Sequence, residues 1–142
     1  MEFYRASDCV DYVGSDPKIP ALPMELAEPL HGYRVSLTAP VDTGFAGYIL
    51  VDRATYERLR TAELPKQNFG IYQTMVGPVV LRRSRVVVQL AKKEFESYIE
   101  TPLYGVGKVL VGRRILSKMN LAMLGTNGRC CHLKQERAEQ AS

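Results

Sequence analysis

Apolar and polar residues alternate along two early stretches, from Met24 to Leu30 and from Tyr33 to Val41. The alternation is most regular where Val35, Leu37, Ala39 and Val41 interleave with Arg34, Ser36 and Thr38. A period of two marks a strand with one buried face, and His31-Gly32 is placed to turn the chain between the two. Tyr48-Ile49-Leu50-Val51 is instead a short continuous apolar run, the pattern of a buried strand. Asp52 follows it as an N-cap for a short helix from Arg53 to about Ala62, with Arg58 and Arg60 near the negative end of its dipole and Pro65 closing it. Gly70 to Leu90 is rich in Val, Ile, Tyr and Thr and is interrupted at Met75-Val76-Gly77-Pro78, which predicts a long hairpin bending near Gly77. A second strand pair is expected from Phe95 to Ile99 and from Val106 to Val111, then a short helix from Arg113 to Met119. The pattern predicts an all-β chain with one or two short helices.

The ends read differently. Residues 1–22 combine Asp8, Asp11 and Asp16 with Gly14, Pro17 and Pro20 and hold no sustained period, so an irregular N-terminal arm is expected there. A single domain is expected over 23–125, and a frayed polar tail over 126–142. Hydrophobic residues at 46% and charged residues at 24% are ordinary for a globular domain, which argues against disorder or a fibrous class. No apolar run approaches the ~18 residues of a membrane span, and Met1-Glu2-Phe3-Tyr4-Arg5 lacks a signal-peptide pattern, so no membrane partner and a cytoplasmic location are expected. Cys9, Cys130 and Cys131 are odd in number and two are adjacent, which reads as free thiols in a reducing compartment. The net charge of +4 is modest and serves solubility first.

Two segments carry candidate chemistry. Asp42-Thr43-Gly44 follows an alternating strand and precedes a glycine-containing turn, Phe45-Ala46-Gly47. A carboxylate at a strand end in such a loop can be held rigidly and stay accessible, although a plain Asp turn between strands has the same letters. Chance alone would place this tripeptide in a chain of this length about 3% of the time. The second segment, Leu110-Val111-Gly112-Arg113, ends an apolar strand on a glycine and opens the predicted helix.

In this order and spacing, over about residues 24–125, the two segments and the hairpin between them resemble the retropepsin-like aspartic peptidases, the retroviral-type proteases and their microbial relatives. The resemblance implies an acid-protease barrel with one half-site per chain. Asp42 would be the catalytic aspartate, Thr43 would hydrogen-bond across the subunit boundary, and Gly44 would offer its carbonyl to a bound peptide. Leu110, Val111, Gly112 and Arg113 would pack beneath that loop, and Met75, Val76, Gly77 and Pro78 would tip a flap over the substrate. There are departures: Ala46 stands where retroviral enzymes commonly carry an aspartate that pairs with the arginine matching Arg113. Arg114 replaces a small polar residue, and Pro78 would stiffen the flap tip.

Hydrolysis by this chemistry needs two carboxyl groups sharing one proton, yet the chain has no second Asp-Thr-Gly or Asp-Ser-Gly. A homodimer acting on an extended peptide or protein is therefore expected, with no cofactor and no metal. Gly105-Val106-Gly107-Lys108 lacks the Ser or Thr and the helix of a phosphate loop, and His31, His132 and the cysteines lack zinc-ligand spacing. Arg82-Arg83-Ser84-Arg85 reads more readily as the solvated part of a hairpin than as a nucleic-acid contact, and Tyr48, Tyr72, Tyr98 and Tyr104 as core or sheet-face residues. The expected function is an aspartic endopeptidase. Its alternatives are a non-catalytic dimerisation or peptide-binding module of the same fold and, further off, a basic nucleic-acid-associated domain.

Overall fold

The computed structural model describes residues 2–137. β2 (Ala21–Ala27) and β3 (Arg34–Pro40) pair antiparallel, with Leu22 opposite Ala39 and Leu26 opposite Val35. Leu22, Met24 and Leu26 are buried while Pro23 is exposed, the one-faced burial that their spacing demands. The Glu28 carboxylate organises the turn between these strands, accepting the N–H groups of Leu30, His31 and Tyr33 and the hydroxyl of Thr61.

β4 (Ile49–Leu50) is buried, as its apolar run requires. Asp52 caps α1 (Arg53–Leu59), its Oδ2 accepting the Thr55 N–H at 3.1 Å. The chain continues through a 3-10 turn, Arg60–Ala62, and Pro65 opens another at Lys66–Asn68. β5 (Gly70–Thr74) and β6 (Gly77–Leu90) form the long hairpin, with Met75 and Val76 at its tip. β7 (Lys93–Pro102) returns antiparallel along β6, and β8 (Leu110–Val111) leads into α2 (Arg113–Leu116). The main sheet runs β3-β2-β6-β7-β4-β8, with β5 also on β6. β4 lies parallel to β7 and antiparallel to β8, so Ile49, Ile99 and Val111 meet in the core with Tyr56, Leu59 and Ile115 from the helices.

Four expectations are corrected. No hairpin joins residues 95–99 to 106–111. β7 pairs with β6 and β4 instead, and only Leu110–Val111 is strand in the later stretch. Gly105 and Gly107 both adopt positive φ, which breaks the run into a loop.

The N-terminal arm and the C-terminal tail are not irregular either. β1 (Glu2–Asp11) pairs with β10 (Arg129–Arg137), which also pairs with β9 (Leu121–Leu124), forming a three-stranded sheet. A register shift between Ser7 and Val10, with Asp8 at φ 48°, disrupts the alternation that would have marked β1. The expected tail beyond residue 137 lies outside the described residues.

Cys9 and Cys131 are not free thiols: they form a disulfide across β1 and β10. Neighbours on a strand face opposite ways, so Cys130 enters the core while Cys131 meets Cys9. Among the described residues no helix is long and apolar enough to cross a membrane.

Candidate active site

β3 ends at Pro40, and Val41 then bridges Val111 in parallel, which delivers Asp42 to the edge of β8. The Asp42 N–H donates to the Val111 carbonyl at 3.0 Å. Its Oδ1 accepts the Gly44 N–H at 2.9 Å, an Asx-type turn that orients the carboxylate by the loop's own backbone. Thr43 and Gly44 are exposed.

From the other side, the Gly112 N–H donates to Tyr48 O at 2.7 Å, the Arg113 N–H to Phe45 O at 2.9 Å and the Arg114 N–H to Gly47 O at 3.0 Å. The opening turn of α2 thus spends N–H groups that a helix cannot satisfy internally on the carbonyls of the Asp42 loop. Gly112 lets the two segments meet: a Cβ there would lie 2.5 Å from Gly47 O and 2.9 Å from Phe45 O. Asp42, Thr43, Gly44 and Leu110 to Arg113 are therefore assembled in one place.

Met75 and Val76 are fully exposed at the hairpin tip. Gly77 has φ 109°, and Pro78 lies in β6 opposite Gln73. The hairpin meets the loop nearer its root, where the Tyr72 ring packs on Phe45 at a centroid distance of 5.4 Å.

Glu100, which sequence reasoning passed over, lies behind this contact with no exposed surface. Its Oε1 accepts the Tyr48 N–H at 2.8 Å, and its Oε2 accepts the Tyr72 hydroxyl at 2.6 Å and the Arg83 guanidinium at 3.2 Å. Arg83 also donates to the Tyr72 hydroxyl and lies over the Tyr48 and Tyr98 rings. Burial and the bond to Glu100 push the Tyr72 hydroxyl above its usual range. Burial works against the Arg83 charge, but Glu100 and Tyr72 outweigh it and raise its pKa. The sequence signal for this cluster was slight, a glutamate beside Ile99 in a strand that also carries the exposed Glu94 and Glu96.

Arg82 is bound by Glu57 and Glu63 at 2.8 Å each and lies over Tyr56. Of the basic run only Arg85 is exposed, so the expected solvated cluster is corrected: two of its arginines neutralise carboxylates of this chain. Tyr104 is exposed, unlike the other three tyrosines of that group. Arg113 is exposed and forms no ion pair among the described residues. Nor do those residues contain a group of three or more His, Cys, Asp or Glu arranged to hold a metal ion.

No family model matches the chain, and no curated protein matches it. Among solved structures it is similar to EIAV protease complexed with the inhibitor HBY-793, with 19% identity and a TM-score of 0.52 over 71% of this chain and 88% of that one. At this identity the likeness is one of fold: the chain has the mostly β, retropepsin-like fold of a retroviral protease.

Proposed function

We propose that the chain is half of an aspartic endopeptidase, with Asp42 as its catalytic carboxylate and a second copy supplying the other. The observation that carries this reading is the clasped, accessible Asp42 carboxylate, tethered by the Gly44 N–H and backed by Val111 and Gly112 in a retropepsin-like fold. Two carboxyl groups a few ångströms apart cannot both ionise, and the pair holds one proton. The ionised member takes a proton from a water as its oxygen attacks the scissile carbonyl carbon. The protonated member donates to the carbonyl oxygen, and protonation of the leaving nitrogen then breaks the C–N bond.

The chain carries one such tripeptide, so the partner carboxylate comes from a two-fold copy that presents the same patch. Thr43 would bond across that axis, and Gly44 would line an extended substrate held as an added strand beneath Met75 to Pro78. Residues 23–125 would form the peptidase domain. A cavity of about 800 Å³ lies between the β6–β7 turn and the terminal sheet, and its lining does not include Asp42.

Purified protein is expected to cleave an unstructured protein at acidic pH with sensitivity to pepstatin. Asp42→Asn is expected to lower that rate at least about 10²-fold while sedimentation still reports a dimer. Cleavage that persists in Asp42→Asn, or a monomer, would overturn the reading. Peptide binding without cleavage would favour the non-catalytic module, whose motivation is the altered flap, where Pro78 follows Gly77 and stiffens the tip.

A cytoplasmic location belongs to the same proposal, and the Cys9–Cys131 disulfide bears against it, since cytosolic disulfides are rare. Alkylation in intact cells decides: three reactive thiols after denaturation fit the cytoplasm, and one fits an oxidising compartment.

A further inference from the structure

Glu100, Arg83 and Tyr72 form a charged cluster that the peptidase chemistry does not use. Burying an ion pair is a poor route to stability, because desolvation offsets most of the Coulomb gain and apolar replacements of similar volume are often neutral or better. The contacts of this cluster point to a different role. Glu100 belongs to β7, Tyr72 to β5 and Arg83 to β6, and among the described residues the one backbone group bound to the carboxylate is the Tyr48 N–H, at the far end of the Asp42 loop. The near end of that loop is held by the Asp42 N–H on Val111.

Two glycines leave the room. A Cβ at Gly47 would lie 2.5 Å from Glu100 Oε1, and one at Gly70 would lie 2.7 Å from Glu100 Oε2 and 2.5 Å from the Arg83 guanidinium. The Tyr72 ring adds a second contact to the loop through Phe45.

We infer that Glu100, with Arg83 and Tyr72, is a positioning device that fixes the Asp42 loop relative to the root of the β5–β6 hairpin. The inference deepens the peptidase reading and rests on it for its catalytic consequence. A substrate held between hairpin and loop sits in a gap whose width the cluster sets. Tilting of the hairpin moves Tyr72 and Arg83, and the shared carboxylate passes that movement to Tyr48. A displacement of about 1 Å at a reacting centre can cost about 10²-fold in rate.

Tyr72→Phe keeps the ring on Phe45 and removes only the hydroxyl link. Glu100→Gln keeps an acceptor for the Tyr48 N–H and removes the charge that holds Arg83. Steady-state kinetics per folded dimer are expected to show kcat lowered about tenfold in Tyr72→Phe and about 10²-fold in Glu100→Gln, with KM within about twofold. Hydrogen exchange at the amides of residues 44–48 is expected to quicken in both variants. Unchanged kcat per folded dimer, or activity lost only in proportion to unfolded protein, would overturn the inference. Should the wild type fail to cleave at all, the peptidase reading falls, and exchange still decides the brace. Faster exchange at both the hairpin and residues 44–48 supports it, whereas faster exchange at the hairpin alone, or at neither, overturns it.

Discussion

Gly112 lies where the turn into α2 passes under the Asp42 loop, and at this position one methyl group decides whether the two segments can touch. Its backbone is extended, with φ −98° and ψ 179°, which any residue can adopt. The constraint is space, because the nearest atoms to an added Cβ include the Gly47 and Phe45 carbonyl oxygens and cannot swing aside. Gly112→Ala is therefore expected to lower stability in urea unfolding by about 1–3 kcal/mol, the range for overpacking a close-packed site. Gly125→Ala, where nothing lies within 4 Å of the new Cβ, is expected to stay within about 0.5 kcal/mol of the parent. At this scale Asp42 and Gly112 were legible because a local pattern flanks each of them. Glu100 was not, since its partners Tyr48, Tyr72 and Arg83 lie 52, 28 and 17 residues away.

Between elements, Glu28 ties the β2–β3 turn to the 3-10 turn that follows α1. Burial alone would raise its pKa. The Thr61 hydroxyl and the N–H groups of Tyr33, Leu30 and His31 outweigh that and hold it down to about 2 from an ordinary 4.5. A carboxyl depressed on folding stabilises fully above its unfolded value and loses that contribution as pH falls through its folded value. Wild type is thus expected to exceed Glu28→Gln in stability above about pH 5, with the difference shrinking between pH 4.5 and 2. Urea unfolding of both proteins at several pH values measures it. A difference that holds constant down to pH 2 would contradict this account. The elements themselves were found wherever their stability is local or one-faced, as in β3, α1 and the β5–β6 hairpin, while the first strand, expected from Met24 to Leu30, lies three residues earlier at Ala21–Ala27 because Glu28 turns the chain. The reading failed for residues 106–109, where two positive-φ glycines turn a seemingly strand-like run into a loop.

Across the whole molecule the chain closes on itself, with β1 against β10 and a disulfide spanning 122 residues of sequence. A cross-link of that span removes much of the freedom of the unfolded chain. Reduction, or Cys9→Ser, is expected to cost about 2–5 kcal/mol in unfolding free energy. Cys9→Ser should then be indifferent to added dithiothreitol, which denaturant titrations with and without reductant would check. The terminal sheet also sets Cys130 in the core and packs Val10 and Leu121 against it, so its loosening is expected to lower the stability of the main sheet with it. Periodicity, capping and the Asp42-Thr43-Gly44 setting were enough by themselves to determine the all-β class, the hairpin and the candidate carboxylate, because each is written in neighbours a few residues apart. Only the tertiary structure decided that the ends pair, which cysteines join, and that Arg82 and Arg83 serve carboxylates of the same chain. Those outcomes depend on side chains far apart in sequence, which the local pattern around any one of them does not encode.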